Sequence, residues 1–159
     1  MKIQKTNVAR ILDARNIEYT FHTYEHKDKD PVDGVHVANM LGLPVEQVFK
    51  TLVTIANTKE YLVFMLPVDK ELSLKKAAVA AGVKSLEMIH VKDINKVTGY
   101  IRGGCSPIGM KKEFRTFIDE TCILQETIYF SAGKIGTQIE MNPEVFMEAF
   151  HVTPYDLTK

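Results

Sequence analysis

The sequence predicts an α+β domain built on a mixed sheet or barrel. Three observations carry this. Strand-like runs follow one another in hairpin fashion; amphipathic helical segments are interspersed among them; and the regular βαβ alternation of a doubly wound parallel sheet is missing. The 159 residues suit one domain over 1–159, with a core from about 5 to 150. There is no internal repeat, low-complexity stretch or linker.

Val8, Ile11 and Leu12 recur at helical spacing over residues 6–16, with Thr6 or Asn7 available as a cap. Tyr19 to Tyr24 is aromatic and β-branched and reads as a strand. The charged, turn-rich EHKDKDPVDG reads as a loop, followed by a short helix over 35–42 that ends at Gly42, and Pro44 can open another turn. VFKTLVTIA and YLVFMLPV flank Asn57-Thr58 and predict a hairpin. Ser73 caps a helix through LKKAAVAAG that stops at Gly82. Leu86 to Val91 reads as a strand, RGGCSPIG as irregular, and RTFIDE, TIYFSAG and TQIEM as three further strands. Asn142-Pro143 starts a helix that runs to about Phe150, because Asn caps and Pro fits the first helical position. HVTPYDLTK reads as a polar tail.

Hydrophobic residues make up 45% and charged residues 25%, the balance of a soluble globular protein. Net charge is zero, which argues against tight non-specific nucleic-acid binding but leaves room for a local basic patch. Cys105 and Cys122 form no C-x-x-C pair, so a reducing compartment is expected. The N-terminus is not a signal peptide, and the apolar runs fall short of the ~20 residues of a membrane span. A soluble cytoplasmic protein without membrane contact is the expectation.

Lys50 is the first candidate for chemistry. Strand alternation puts Val48, Lys50, Leu52 and Thr54 on one face and Phe49, Thr51, Val53 and Ile55 on the other. A lysine in such an apolar strand either snorkels or points into a pocket, where its ammonium meets a carbonyl oxygen, a phosphate or a developing oxyanion. RGGCSPIG (102–109) is the second candidate. Gly103-Gly104 admits conformations closed to other residues and close approach of backbone N–H groups to a ligand, although a plain tight connection needs the same glycines. It is neither a Walker loop nor a Rossmann fingerprint. Cys105 reads better as a small turn residue than as a nucleophile, since no His stands in a supporting motif. The histidines 22, 26, 36, 90 and 151 show no zinc-ligand spacing, so neither metal nor cofactor is expected. Ser131 ends a strand before a second glycine turn, where it caps a hairpin or reaches a ligand. Lys75-Lys76, Lys111-Lys112 and Arg115 either touch a phosphate backbone or are solvated.

HTYEH (22–26), LGLPVEQVFKTLV (41–53), LSLKKAA (72–78), TGYIRGGCSPIG (98–109) and YFSAGKIG (129–136), taken in order, resemble the YbaK/EbsC-type Cys-tRNA(Pro) deacylases. Their superfamily includes the editing domain of bacterial prolyl-tRNA synthetases. The resemblance implies a mixed, curved, barrel-like β-sheet flanked by helices. It also implies trans-editing: removal of cysteine mischarged onto tRNA(Pro), and from tRNA(Cys) as well. Cysteine and proline are close in size, and one apolar pocket separates near-isosteres poorly, so a second site is needed. In this family the substrate's own thiol is thought to attack its ester carbonyl, releasing tRNA and a cyclic thiolactone.

By the same resemblance Lys50 matches the family's essential lysine and Gly103 the glycine whose backbone lines the carbonyl site. Gly104 follows it, Tyr24 helps position the substrate, and Thr51 and Ser131 supply hydroxyls. Gln138 stands where better-studied members have aspartate; it keeps hydrogen bonding but loses the charge. Glu140, on the same strand face, offers a substitute anion. The implied partners are the 3′ aminoacyl end of a mischarged tRNA and prolyl-tRNA synthetase. Two alternatives stand beside this: a deacylase for another small amino acid such as Ala or Ser, and a non-catalytic module that binds a tRNA end or nucleotide.

Overall fold

The structure, a computed structural model, describes residues 5–26 and 33–159. Most of the expected loop over 25–34 lies outside the described residues. Two sheets organise the protein. Strands β2 (Phe49–Ala56), β3 (Tyr61–Pro67), β4 (Leu86–Met88), β5 (Thr116–Asp119) and β8 (Val152–Tyr155) form a mixed sheet in the order β4-β2-β3-β5-β8. Strands β1 (Thr20–Thr23), β6 (Ile128–Ser131) and β7 (Thr137–Met141) form an antiparallel sheet in the order β1-β7-β6. The expected barrel is therefore not a closed one. Among the described residues the sheets meet at one parallel bridge, between Val48 and Tyr129, and beyond it their edges part.

Helix α1 (Asn7–Ala14) is capped by Thr6, whose hydroxyl accepts from Ala9 N–H. Helix α2 (Gly34–Met40) is capped by Asp33. Ser73 caps α3 (Leu74–Ala81), which ends with Gly82 in the left-handed region at φ 70°. Asn142 caps α5 (Pro143–Phe150), with Pro143 in its first turn. Each cap oxygen satisfies an N–H that the helix leaves unpaired. A short helix α4 (Ile94–Thr98) was not expected; the predicted strand over 86–91 stops at Met88, and a 3-10 turn at 91–93 leads into α4.

The apolar run of β3 is explained by burial on both faces. Its Met65 side packs with Phe49, Ile118, Phe130, Ile139 and Phe146, between the two sheets and under α1 and α5. Its Leu62, Phe64 and Leu66 side packs with Phe117 and with Ala77, Ala78 and Ala81 of α3. The C-terminus corrects the polar-tail reading. Residues 152–155 run parallel to β5, and Leu157 is fully buried against the α3 cluster. Leu157 N–H donates to Asp119 Oδ1 at 3.0 Å, and Ser73 N–H donates to Leu157 C=O at 2.8 Å.

Candidate functional site

Where the sheet edges part, a cavity of about 540 Å³ opens. Its cause lies in the hydrogen bonding of β2. The hairpin closes with Ala56 N–H donating to Glu60 C=O at 2.8 Å, so backbone groups of even-numbered β2 residues face β3 and those of odd-numbered residues face the far edge. On that edge residues 54–56 pair with β4, and Val53 C=O accepts from Ile89 N–H at 3.2 Å. At the other end Val48 bridges to β6. Around Lys50 to Leu52 neither neighbour covers the edge, and the backbone N–H and C=O of Thr51 face the gap.

The parallel step from Val48 and Tyr129 puts Lys50 level with Ser131, and Ser131 pairs with Gln138 on β7. Lys50, Thr51, Ser131, Gln138, Tyr24 and Gly103 all line the cavity; Gly104 does not. Gly103 holds φ at 84°, a value that side chains avoid. Gly104 serves the turn differently: a Cβ there would lie 3.1 Å from Ile135 N and 3.2 Å from Lys134 Cα, so it lets the turn pack against the 133–136 loop.

The Lys50 side chain is half-buried, and among the described residues its ammonium has neither an ion pair nor a hydrogen bond. Burial lowers its pKa below the ordinary lysine value, partly offset by the charges of Glu71 and Asp69. Two more groups are unsatisfied. Thr51 Oγ1 and Gln138 Oε1 are buried without a hydrogen-bond partner. Buried polar atoms are nearly always paired, so two orphans lining one cavity point to a ligand that supplies the missing partners. Ser131 Oγ accepts from Gly133 N–H at 3.1 Å, which leaves its own proton to donate.

Cys105 also lines the cavity, but burial pushes its thiol up to about 11, against a smaller opposing effect of a hydrogen bond with Thr98. At neutral pH it is a protonated thiol and a poor nucleophile. Glu140 is not a free anion. Its carboxylate is 2.8 Å from His22 Nε2 and accepts from Thr127 Oγ1 at 2.7 Å. Burial would raise its pKa, but the bonds from Thr127, His22 and Tyr129 outweigh that and hold it below the usual value. Arg115 is paired with Glu60 and Lys76 with Asp156, and none of the lysine pairs lines the cavity. Among the described residues no group of three His, Cys, Asp or Glu is arranged to hold a metal ion.

Sequence reasoning missed two charged lining residues, Asp33 and Arg102, and the apolar wall of Met88, Ile89, Val91 and Ile94. The Asp-Gly before α2 signals a turn and a cap, but nothing local says that it borders a cavity.

The family profile described as the aminoacyl-tRNA editing domain matches residues 32–149, most of the sequence. The protein belongs to the aminoacyl-tRNA editing domain family. Among editing-domain relatives, a protein of Enterococcus faecalis (strain ATCC 700802 / V583), provisionally named Cys-tRNA(Pro)/Cys-tRNA(Cys) deacylase EbsC, is 44% identical over 144 residues, 91% of this protein and 87% of the relative. Two solved structures share the fold. The crystal structure of a hypothetical protein gives a TM-score of 0.85 at 20% identity, over 96% of this protein and 99% of that one. That of a protein provisionally described as a trans-editing enzyme for prolyl-tRNA synthetase gives 0.83 at 19% identity, over 98% and 99%. No helix among the described residues is long and apolar enough to cross a membrane.

Proposed function

We propose that this editing-domain protein is a trans-editing deacylase that clears cysteine from tRNA(Pro), and from tRNA(Cys) as well. The observation that carries this reading is the 44% identity to the Enterococcus faecalis relative over nearly the whole of both proteins. The cavity supports it. Its size falls in the usual range of small-ligand sites, about 300–1,000 Å³, which suits a terminal aminoacyl nucleotide and not a duplex stem.

Lys50 supplies a desolvated cation for the reacting carbonyl or the adjacent 3′-end oxygens, and the glycine turn at 103 brings backbone alongside. Thr51 and Ser131 are hydroxyl partners, Gln138 an amide partner, and Tyr24 a wall of the site. The cysteine thiol of the substrate is the nucleophile. It loses its proton and attacks its own ester carbonyl; the C–S bond forms as the C–O bond to the ribose breaks, and the ribose oxygen takes up a proton. The products are tRNA and a thiolactone. This route fits a site whose protein thiol stays protonated.

The zero net charge implies a weak, salt-sensitive hold on free tRNA, with prolyl-tRNA synthetase recruiting the substrate. The place of action is the cytoplasm, where translation occurs. A deacylation panel over Cys-tRNA(Pro), Cys-tRNA(Cys), Ala-tRNA(Pro) and Ser-tRNA, with and without the synthetase, tests the reading. Release of cysteine ahead of the others is expected. A preference for alanine refutes it, and binding of a tRNA-end mimic without deacylation of any charged tRNA makes the protein a binding module.

A further inference from the structure

An aminoacyl ester carries an α-amine beside the reacting carbonyl, and in its protonated form this amine needs an acceptor. The cavity already presents two cations, Lys50 and Arg102. An ammonium entering beside them is unfavourable unless an anion receives it. Gln138 Oε1 is an unpaired acceptor, but it is neutral. Glu140 is committed to His22 and Thr127 and does not line the cavity. Among the described lining residues the one carboxylate is Asp33.

Asp33 is held in place by two contacts. Its Oδ1 accepts from His36 N–H at 2.9 Å, and its backbone carbonyl accepts from Val37 N–H at 3.0 Å. The next residue, Gly34, sits so close to Val68 that any Cβ would lie 2.3 Å from Val68 Cγ1. Val68 N–H in turn donates to Val48 C=O at 2.9 Å, two residues before Lys50. The start of α2 is therefore seated beside the start of β2, on the side from which Lys50 projects, and Asp33 stands exposed at the rim of the cavity. One oxygen serves the helix cap, and no hydrogen bond to Oδ2 is found among the described residues.

We propose that Asp33 binds the α-ammonium of the aminoacyl group and makes the site selective for aminoacyl-tRNA with a free amine over N-acylated forms such as peptidyl-tRNA. This rests on the aminoacyl-tRNA deacylase reading. Charge-assisted hydrogen bonds justify an effect of about tenfold or more.

The experiment compares Cys-tRNA(Pro) with N-acetyl-Cys-tRNA(Pro) as substrates for the wild type, Asp33→Asn and Asp33→Ser. Asn and Ser both keep an N-cap, so α2 is preserved; equal melting temperatures verify it. The wild type is expected to lose about tenfold or more in kcat/KM on acetylation. Both variants should process the two substrates at similar rates, near that of the wild type on the acetylated one. Folded variants that keep the wild-type preference overturn the role of Asp33, as does a wild type indifferent to acetylation. A wild type that deacylates neither substrate instead removes the parent reading.

Discussion

Replacing Gly34 by alanine tests the packing that positions the mouth of the cavity. Gly34 opens α2 with an ordinary helical φ, where a glycine-to-alanine change normally stabilises by about 0.4–1 kcal/mol through the unfolded state. The structure predicts the opposite sign. The new Cβ would stand 2.3 Å from Val68 Cγ1 and 2.6 Å from Val68 Cβ, against about 3.5–4.0 Å for a comfortable carbon contact. Val68, just past the end of β3, is buried and cannot swing away freely. The start of α2 must therefore back off by more than an ångström. Overpacking of this kind costs about 1–3 kcal/mol. Net of the propensity gain, a loss of about 1–2 kcal/mol is expected, a fall of ~2–8 °C in melting temperature for a protein of this size. Urea unfolding, with the slope m checked for constancy, reads it directly. Deacylation should weaken in parallel, since Asp33 moves with the helix. A Gly34→Ala protein as stable as the wild type, or more stable, refutes the contact and the placement of Asp33 that depends on it.

Other substitutions probe the interior of the site. Lys50→Met should lower kcat/KM on Cys-tRNA(Pro) by about 10²–10³-fold, the usual effect of losing a preorganised electrostatic contact. It should melt no earlier than the wild type, because the charge it removes is half-buried and unpaired; near-normal turnover would take Lys50 out of the mechanism. Cys105→Ala should keep wild-type turnover, and Cys105 should resist alkylation at neutral pH because burial pushes its thiol up to about 11; inactivity in a folded variant would restore it as a nucleophile. Glu140→Gln tests a pH dependence. The folded pKa of Glu140 lies below the unfolded value, so its stabilisation is present in full above about pH 5 and fades as pH falls through the folded value. The gap in melting temperature between wild type and variant should therefore narrow on acidification, and a gap that widens below about pH 4.5 would contradict the sign.

Much of the fold was legible because local chemistry and tertiary structure agree. Ser73 and Gly82 bracket α3, Asn142-Pro143 opens α5, and the two apolar runs around Asn57-Thr58 pair as β2 and β3. β8 was illegible for a physical reason. It is an edge strand with three exposed residues and a proline, so its burial is confined to Val152 and, further on, Leu157. α4, five residues long, offers too few turns for a periodic signal. The strand faces of β2 could be read from alternation, but the gap beside Lys50 could not. It exists because β4 stops at Met88 and β6 joins only at Val48, and both limits are set by partners distant in sequence. Asp33 is the same case: its side chain announces a helix cap, while its place at the cavity depends on Gly34 meeting Val68.

The late joining of β8 bears on how the protein is made. Strand β5 lies between β3 and β8, and Leu157 closes the cluster under α3. During synthesis the larger sheet remains one strand short, with the flank of β5 open, until the ribosome has passed residue 157 and that stretch has cleared the exit tunnel. The nascent polypeptide can assemble β2, β3 and α3 early, yet once β5 has emerged it carries an unpaired parallel edge until β8 follows. Such an edge is a template for pairing with other molecules. A product truncated between Gln138 and Val152 would then be aggregation-prone, even though every residue lining the cavity had already been made.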